Sequence, residues 1–136
     1  MKYLILILFI SNHVLSQDIK QHKWKERIVI INSDKKNLEL AENQLKMFLN
    51  EEPKLVYRKI VLYNCIGSNC SLYNWKDKPR IVSNKSLIKG FKIVLIGLDG
   101  GVKYKSKKVE KADVIFNLID SMPMRRQEIK SSKNND

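Results

Sequence analysis

Apolar residues recur along this chain with two periods, and the changes between them mark out the elements. RIVIINS, residues 27–33, is a nearly unbroken β-branched run, the pattern of a strand covered on both faces. DKKNLELAENQLKMFLN then places Leu38, Ala41, Leu45, Phe48 and Leu49 at helical spacing, with Asp34 as the capping residue and Pro53 as the stop. YRKIVLYNC predicts a second strand centred on Ile60 to Tyr63, and a right-handed crossover makes two such strands parallel. Residues 66–79 carry Gly67, Ser68, Asn69, Asn74, Asp77 and Pro79 and read as a loop. PRIVS follows as a short edge strand, and SNKSLIKG as a helical turn ending at Gly90. FKIVLIGLDGGVKYKS is an antiparallel hairpin, because Asp99-Gly100-Gly101 tolerates the positive φ of a tight turn. From about Lys108 a last helix sets Ala112, Ile115, Phe116 and Ile119 on one face. Pro123 lacks an N–H and disfavours helical geometry at Met122, so this helix breaks between Asp120 and Met122. Asp120 or Ser121 can cap a fresh turn, and Met122 and Met124 can wrap over the sheet edge.

The first residues follow neither period. Lys2 supplies a positive start, YLILILF is an apolar run too short to span a bilayer, and Val14 and Ser16 are small enough to precede a cleavage site. Residues 1–16 are therefore expected to be a signal peptide, leaving a mature chain that begins at or near Gln17. No cysteine lies near that point to take a lipid, so no stable membrane anchor is expected after cleavage. The expected product is exported, periplasmic or extracellular, with one domain over residues 17–130 and a polar, disordered tail over 131–136.

Charge narrows the partners. Losing Lys2 from 26 basic residues against 14 acidic ones leaves the mature chain at +11. Such an excess attracts anionic partners, although lysines spread along a chain also serve simply as solvated surface. Export argues against nucleic acid and leaves an extracytoplasmic protein or an acidic polysaccharide. Only His22 survives leader removal, so a multi-histidine metal site is excluded and a Ser-His-Asp triad has little to draw on. Nothing in the sequence calls for a metal or a cofactor.

Strand, helix, strand, an irregular stretch, then strand, strand, helix is the core topology of a thioredoxin-like domain. Three stretches carry a more specific likeness: WKERIVII near the mature start, KIVLIGLDGGVK in the hairpin, and LIDSMPMRRQE at the end. Within them stand Trp24, Arg27, Asp99, Gly100, Gly101, Asp120, Met122, Pro123 and Met124. Across Trp24 to Glu128 the chain resembles the peroxiredoxin-like domain-of-unknown-function family 4174, also called the P-DUDES family. The resemblance implies an α/β, three-layer domain of thioredoxin/peroxiredoxin type, β-α-β then β-β-α around a mixed sheet. It also implies small exported proteins or modules of secreted ones, and it brings no established activity.

Thiol chemistry on this fold needs a cysteine just after the first core strand, where a helix N-terminus stabilises the thiolate. That corner reads NSDKKN, residues 32–37, and holds no cysteine; Gly90 and Phe91 stand where thioredoxins place a cis-proline. The two cysteines, Cys65 and Cys70, follow the second strand instead. They can form a structural disulfide across a short loop, act as a redox pair, or remain free thiols. Arg125 and Arg126 either neutralise an internal acid or form an anion site. The expectation is an exported, non-catalytic module that binds an extracytoplasmic anionic partner, with a thiol oxidoreductase or peroxide-responsive protein using Cys65 and Cys70 as the alternative.

Overall fold

The computed structural model describes residues 14–86 and 88–135. Six strands form one sheet: β1 (Arg27–Ser33), β2 (Ile60–Ile66), β3 (Asn69–Tyr73), β4 (Arg80–Ser83), β5 (Phe91–Ile96) and β6 (Val102–Ser106). Their order is β4-β3-β2-β1-β5-β6. β1 and β2 are parallel, from Arg27 opposite Ile60 to Ser33 opposite Ile66, and the other neighbours are antiparallel. The helices are α1 (Leu15–Lys20), α2 (Leu38–Leu49), α3 (Glu52–Tyr57), α4 (Ala112–Asp120) and α5 (Pro123–Asn134), with a 3₁₀ turn at Lys35–Asn37 before α2.

The near-continuous apolar run of β1 is satisfied from both sides. Val29 and Ile31 face a core shared with Leu62, Ile93 and Leu95 and covered by Phe48 of α2, Leu55 of α3 and Ile115, Phe116 and Ile119 of α4. Ile28 and Ile30 face the opposite way, with Val61, Tyr63, Cys65, Cys70, Leu72 and Val94, against Leu15 and Ile19 of α1. Two faces buried by helices on both sides give the three layers of a thioredoxin-like α/β domain. Each large side chain buried this way contributes roughly 1.5–3 kcal/mol, so the three middle strands, β1, β2 and β5, supply most of the sheet's share of the core.

Several local expectations give way to tertiary structure. The expected loop over residues 66–79 contains β3: Gly67, at φ +60°, turns the chain back so that Cys70 and Leu72 bury while Asn69 and Ser71 face outward. The polar residues that suggested a loop are the turn and outer face of a hairpin. Pro53 does not end helical structure but starts α3, where its missing N–H has no acceptor to miss. The helical turn expected before Gly90 is absent among the described residues of that segment, where Asn84 Oδ1 accepts the Ser86 N–H at 3.1 Å in a side-chain-closed turn. The chain does break at Asp120–Met122, but neither Asp120 nor Ser121 caps α5. Met122, in extended geometry, is its cap residue, Ser121 Oγ donates back to the Leu118 carbonyl at 2.6 Å, and Asp120 turns to an arginine. α5 runs through Asn134, into the stretch expected to be a disordered tail. Most of the expected leader lies outside the described residues, and the expected cleavage after Ser16 falls within α1.

Candidate functional site

The carboxyl ends of β1 and β2 form the rim where thiol chemistry would sit on this fold. Here the corner is closed by an acid. Asp34 Oδ1 accepts the Asn37 backbone N–H at 3.1 Å and its side-chain amide at 2.6 Å, and Oδ2 accepts the Gly90 N–H at 2.7 Å. The Asp34 N–H in turn donates to the Gly90 carbonyl at 3.0 Å. The Gly90 N–H, then the Asn37 side chain, hold the Asp34 carboxyl below its ordinary range. Asp34 therefore caps the turn and ties it to the segment before β5.

Both cysteines of the chain are used. Cys65 and Cys70 stand directly opposite each other in the β2–β3 ladder and form a disulfide with their Cα atoms 3.9 Å apart. Neither residue is exposed, so no thiol is available as a nucleophile.

Beside Asp34 opens a cleft of about 740 Å³ between the end of β1, the start of β5 and the segment before it. Leu15, Ile30 and Ile88 give it an apolar floor, and Lys89, Lys92 and Lys107 line its walls with Asn32. The salt bridges among the described residues involve none of these three lysines. Lys35 and Lys36 are exposed on the adjoining turn. Five lysines against the ionised Asp34 carboxylate leave this rim with a net positive charge.

On the same face of the sheet lies a buried polar chain that the sequence reading missed. Tyr63 donates its hydroxyl to Asp18, Arg80 Nη2 donates to Asp18 Oδ1 at 2.9 Å, and His22 Nε2 lies 2.6 Å from the Tyr63 oxygen while Nδ1 meets Glu26. Asp18 and Tyr63 are closed to solvent. Burial, then the bond to Asp18, pushes the Tyr63 phenol well above its ordinary value, so it remains a neutral donor. The chain pins α1 to the sheet. Asp18, His22 and Glu26 follow one another at four-residue spacing, a one-faced helical pattern that sequence could have offered.

At the opposite end of the sheet the residues of the three resembling stretches come together. Arg27, 1% exposed, donates from both Nη atoms to Glu128, each at 3.2 Å, and from Nη1 to the Arg58 carbonyl at 2.9 Å. Arg58 grips Asp120 with two bonds, at 3.0 and 2.8 Å. Arg125 is buried, donates to Glu128 Oε2 at 3.0 Å and stacks 4.4 Å from the centre of the Tyr57 ring, while its Nη2 has no hydrogen-bond partner. Arg126 is exposed. Burial alone would raise the Glu128 carboxyl, but Arg27 and Arg125 outweigh it and hold it below its ordinary range. At Asp120 burial is likewise outweighed, by Arg58 and then Arg125. The two arginines considered together in the sequence are thus separated: one is internal, the other on the surface. Across the β5–β6 turn, Asp99 accepts the Gly101 N–H at 2.9 Å and pairs with Lys103, and Gly100 takes φ +83°. Trp24 is 62% exposed, and its backbone N–H donates to the Leu98 carbonyl at 2.7 Å.

Among the described residues no helix is long and apolar enough to cross a membrane, and no cluster of three or more His, Cys, Asp and Glu could hold a metal ion. The fold and site define an α/β thioredoxin-like domain whose thiol corner carries aspartate. The model of a family described as a domain of unknown function (DUF4174) matches residues 18–128, and the chain belongs to that family. No curated protein and no solved structure matches it.

Proposed function

We propose that the chain is an exported, non-catalytic thioredoxin-like module that binds an anionic extracytoplasmic partner through the cleft lined by Lys89, Lys92 and Lys107. The observation that carries this reading is the pairing of an occupied thiol corner with an unpaired basic cleft beside it. Asp34 spends its carboxylate on Asn37 and Gly90, the disulfide is buried, and the neighbouring lysines have no internal carboxylate partner among the described residues. Exposed, unpaired cations contribute little to folding and much to the attraction of anions.

The test is salt elution from an immobilised sulfated polysaccharide. Replacing Lys89, Lys92 and Lys107 with Ser is expected to lower the eluting salt concentration more than replacing Lys46, Lys130 and Lys133, which are exposed elsewhere. Equal shifts for the two triple variants would reduce the binding to net charge and sink the cleft assignment. Peroxide consumption or insulin reduction that vanished on replacing Cys65 and Cys70 would favour the thiol-enzyme reading instead.

A further inference from the structure

A second recess lies at the other end of β1, remote from the basic cleft. It measures about 290 Å³ and sits between the β5–β6 turn and the α4–α5 break, lined by Arg27, Leu98, Lys103, Met122, Pro123 and Met124 among others. That is below the usual size of a small-molecule site and suits one large side chain. Its walls are mainly apolar. Asp99 is the acid in the lining and is already paired with Lys103 at 2.8 Å, while the Arg27 charge is taken up by Glu128.

The surface continues past the recess through Leu98, whose carbonyl holds the Trp24 backbone N–H. Trp24, Val102 and Met124 are 62%, 53% and 41% exposed. Lys23 lies along the β5–β6 turn beside Gly100 and reaches over the Trp24 ring, and Lys25 and Arg126 are exposed next to these elements in sequence. An exposed tryptophan beside flexible methionines is the composition of an interaction surface rather than of ordinary solvent-facing surface. The charges around it that take part in no salt bridge among the described residues, Lys23, Lys25 and Arg126, are all positive.

We propose that this end of the molecule docks an acidic peptide segment of a partner protein, which inserts one large apolar side chain between Met122, Met124 and Leu98. The carboxylates of the segment meet Lys23, Lys25 and Arg126, and Trp24 packs along its backbone. The Asp99–Lys103 pair and the buried Arg27–Glu128 pair keep the recess neutral, so the apolar anchor meets no unpaired charge.

Selection from a random peptide library on the full exported chain tests this. Enriched sequences are expected to combine Asp or Glu with Leu, Met or Phe. Their binding should weaken about thirtyfold in Trp24→Ala and in Met124→Glu, as for loss of a hot-spot contact. Both replaced residues are exposed, so the melting temperature should stay at the parent value, and the Lys89, Lys92, Lys107 triple variant should bind normally. Enrichment of basic or wholly polar sequences, no enrichment, or binding by either variant at the parent's affinity would overturn the proposal. Loss of binding in the lysine triple variant would overturn it as well, by assigning the peptide to the other cleft.

Discussion

Replacing Glu128 with Ala should be the most damaging single change at the α4–α5 break. Its carboxylate accepts three charge-assisted bonds, two from Arg27 and one from Arg125, and these arginines are 1% and 3% exposed. Removing one partner of a buried pair costs about 3–5 kcal/mol, because the charge left behind is uncompensated. The Glu128 side chain is itself 18% exposed, so water can enter the vacated space, and the lower end, about 3 kcal/mol, applies. For a domain of this size that corresponds to a fall of about 10 °C in melting temperature. Arg125→Ala should cost less, about 1–2 kcal/mol. It leaves Glu128 held by Arg27 and removes a guanidinium nitrogen with no hydrogen-bond partner. Arg126→Ala, at an exposed position, should stay within about 0.5 kcal/mol. Urea unfolding followed by intrinsic fluorescence, with midpoint and slope fitted separately, reads all three. A Glu128→Ala protein as stable as the parent, or an Arg126→Ala protein as damaged as Arg125→Ala, would refute this account.

Glu128 and Asp120 both have carboxyl groups held below their unfolded values. The unfolded chain therefore binds more protons as pH falls through about 4.5 and below, and stability contributed by these groups is full above that pH and declines beneath it. Acid titration of the melting temperature should show that decline, and Glu128→Gln should flatten part of it. Replacing Cys65 and Cys70 with Ser should cost roughly 2 kcal/mol, the loop-closure value for so short a ring, and native protein treated with mild reductant should resist thiol-specific labelling until denaturant is added. Intact-mass measurement of protein recovered after export should give a chain beginning at or near Gln17; retention of residues 1–16 would refute the leader assignment.

Periodicity made the centre of the fold legible. β1, α2, the β5–β6 hairpin and α4 each repeat their apolar residues often enough to declare their type. β3 did not, because Cys70 and Leu72 are its inward pair and the residues around them belong to turns and an outer face. α3 was hidden by Pro53, whose effect depends on whether it falls at the start or the end of a helix. Arg125 stood out in sequence and its partner Glu128 lies one turn away on α5, but Glu128 also holds Arg27, 101 positions away, and only the folded sheet brings those two together. The lysines of the cleft were visible as composition alone. Lys107 meets Lys89 and Lys92 only because β6 returns alongside β5.

The central place of β1 has a consequence for how the chain reaches this state. The β2–β3 and β5–β6 hairpins close over short loops, but β1 must find β2 across α2 and α3 and then β5, with Ile28 opposite Ile96. Distant pairings are entropically costly and slow to form. Until β5 has been synthesised and reaches it, β1 keeps one edge open and its four consecutive buried residues Ile28 to Ile31 without their final cover. A nascent or truncated chain ending before Phe91 thus presents a sticky, unpaired strand; assembly is held back until the last third of the molecule arrives.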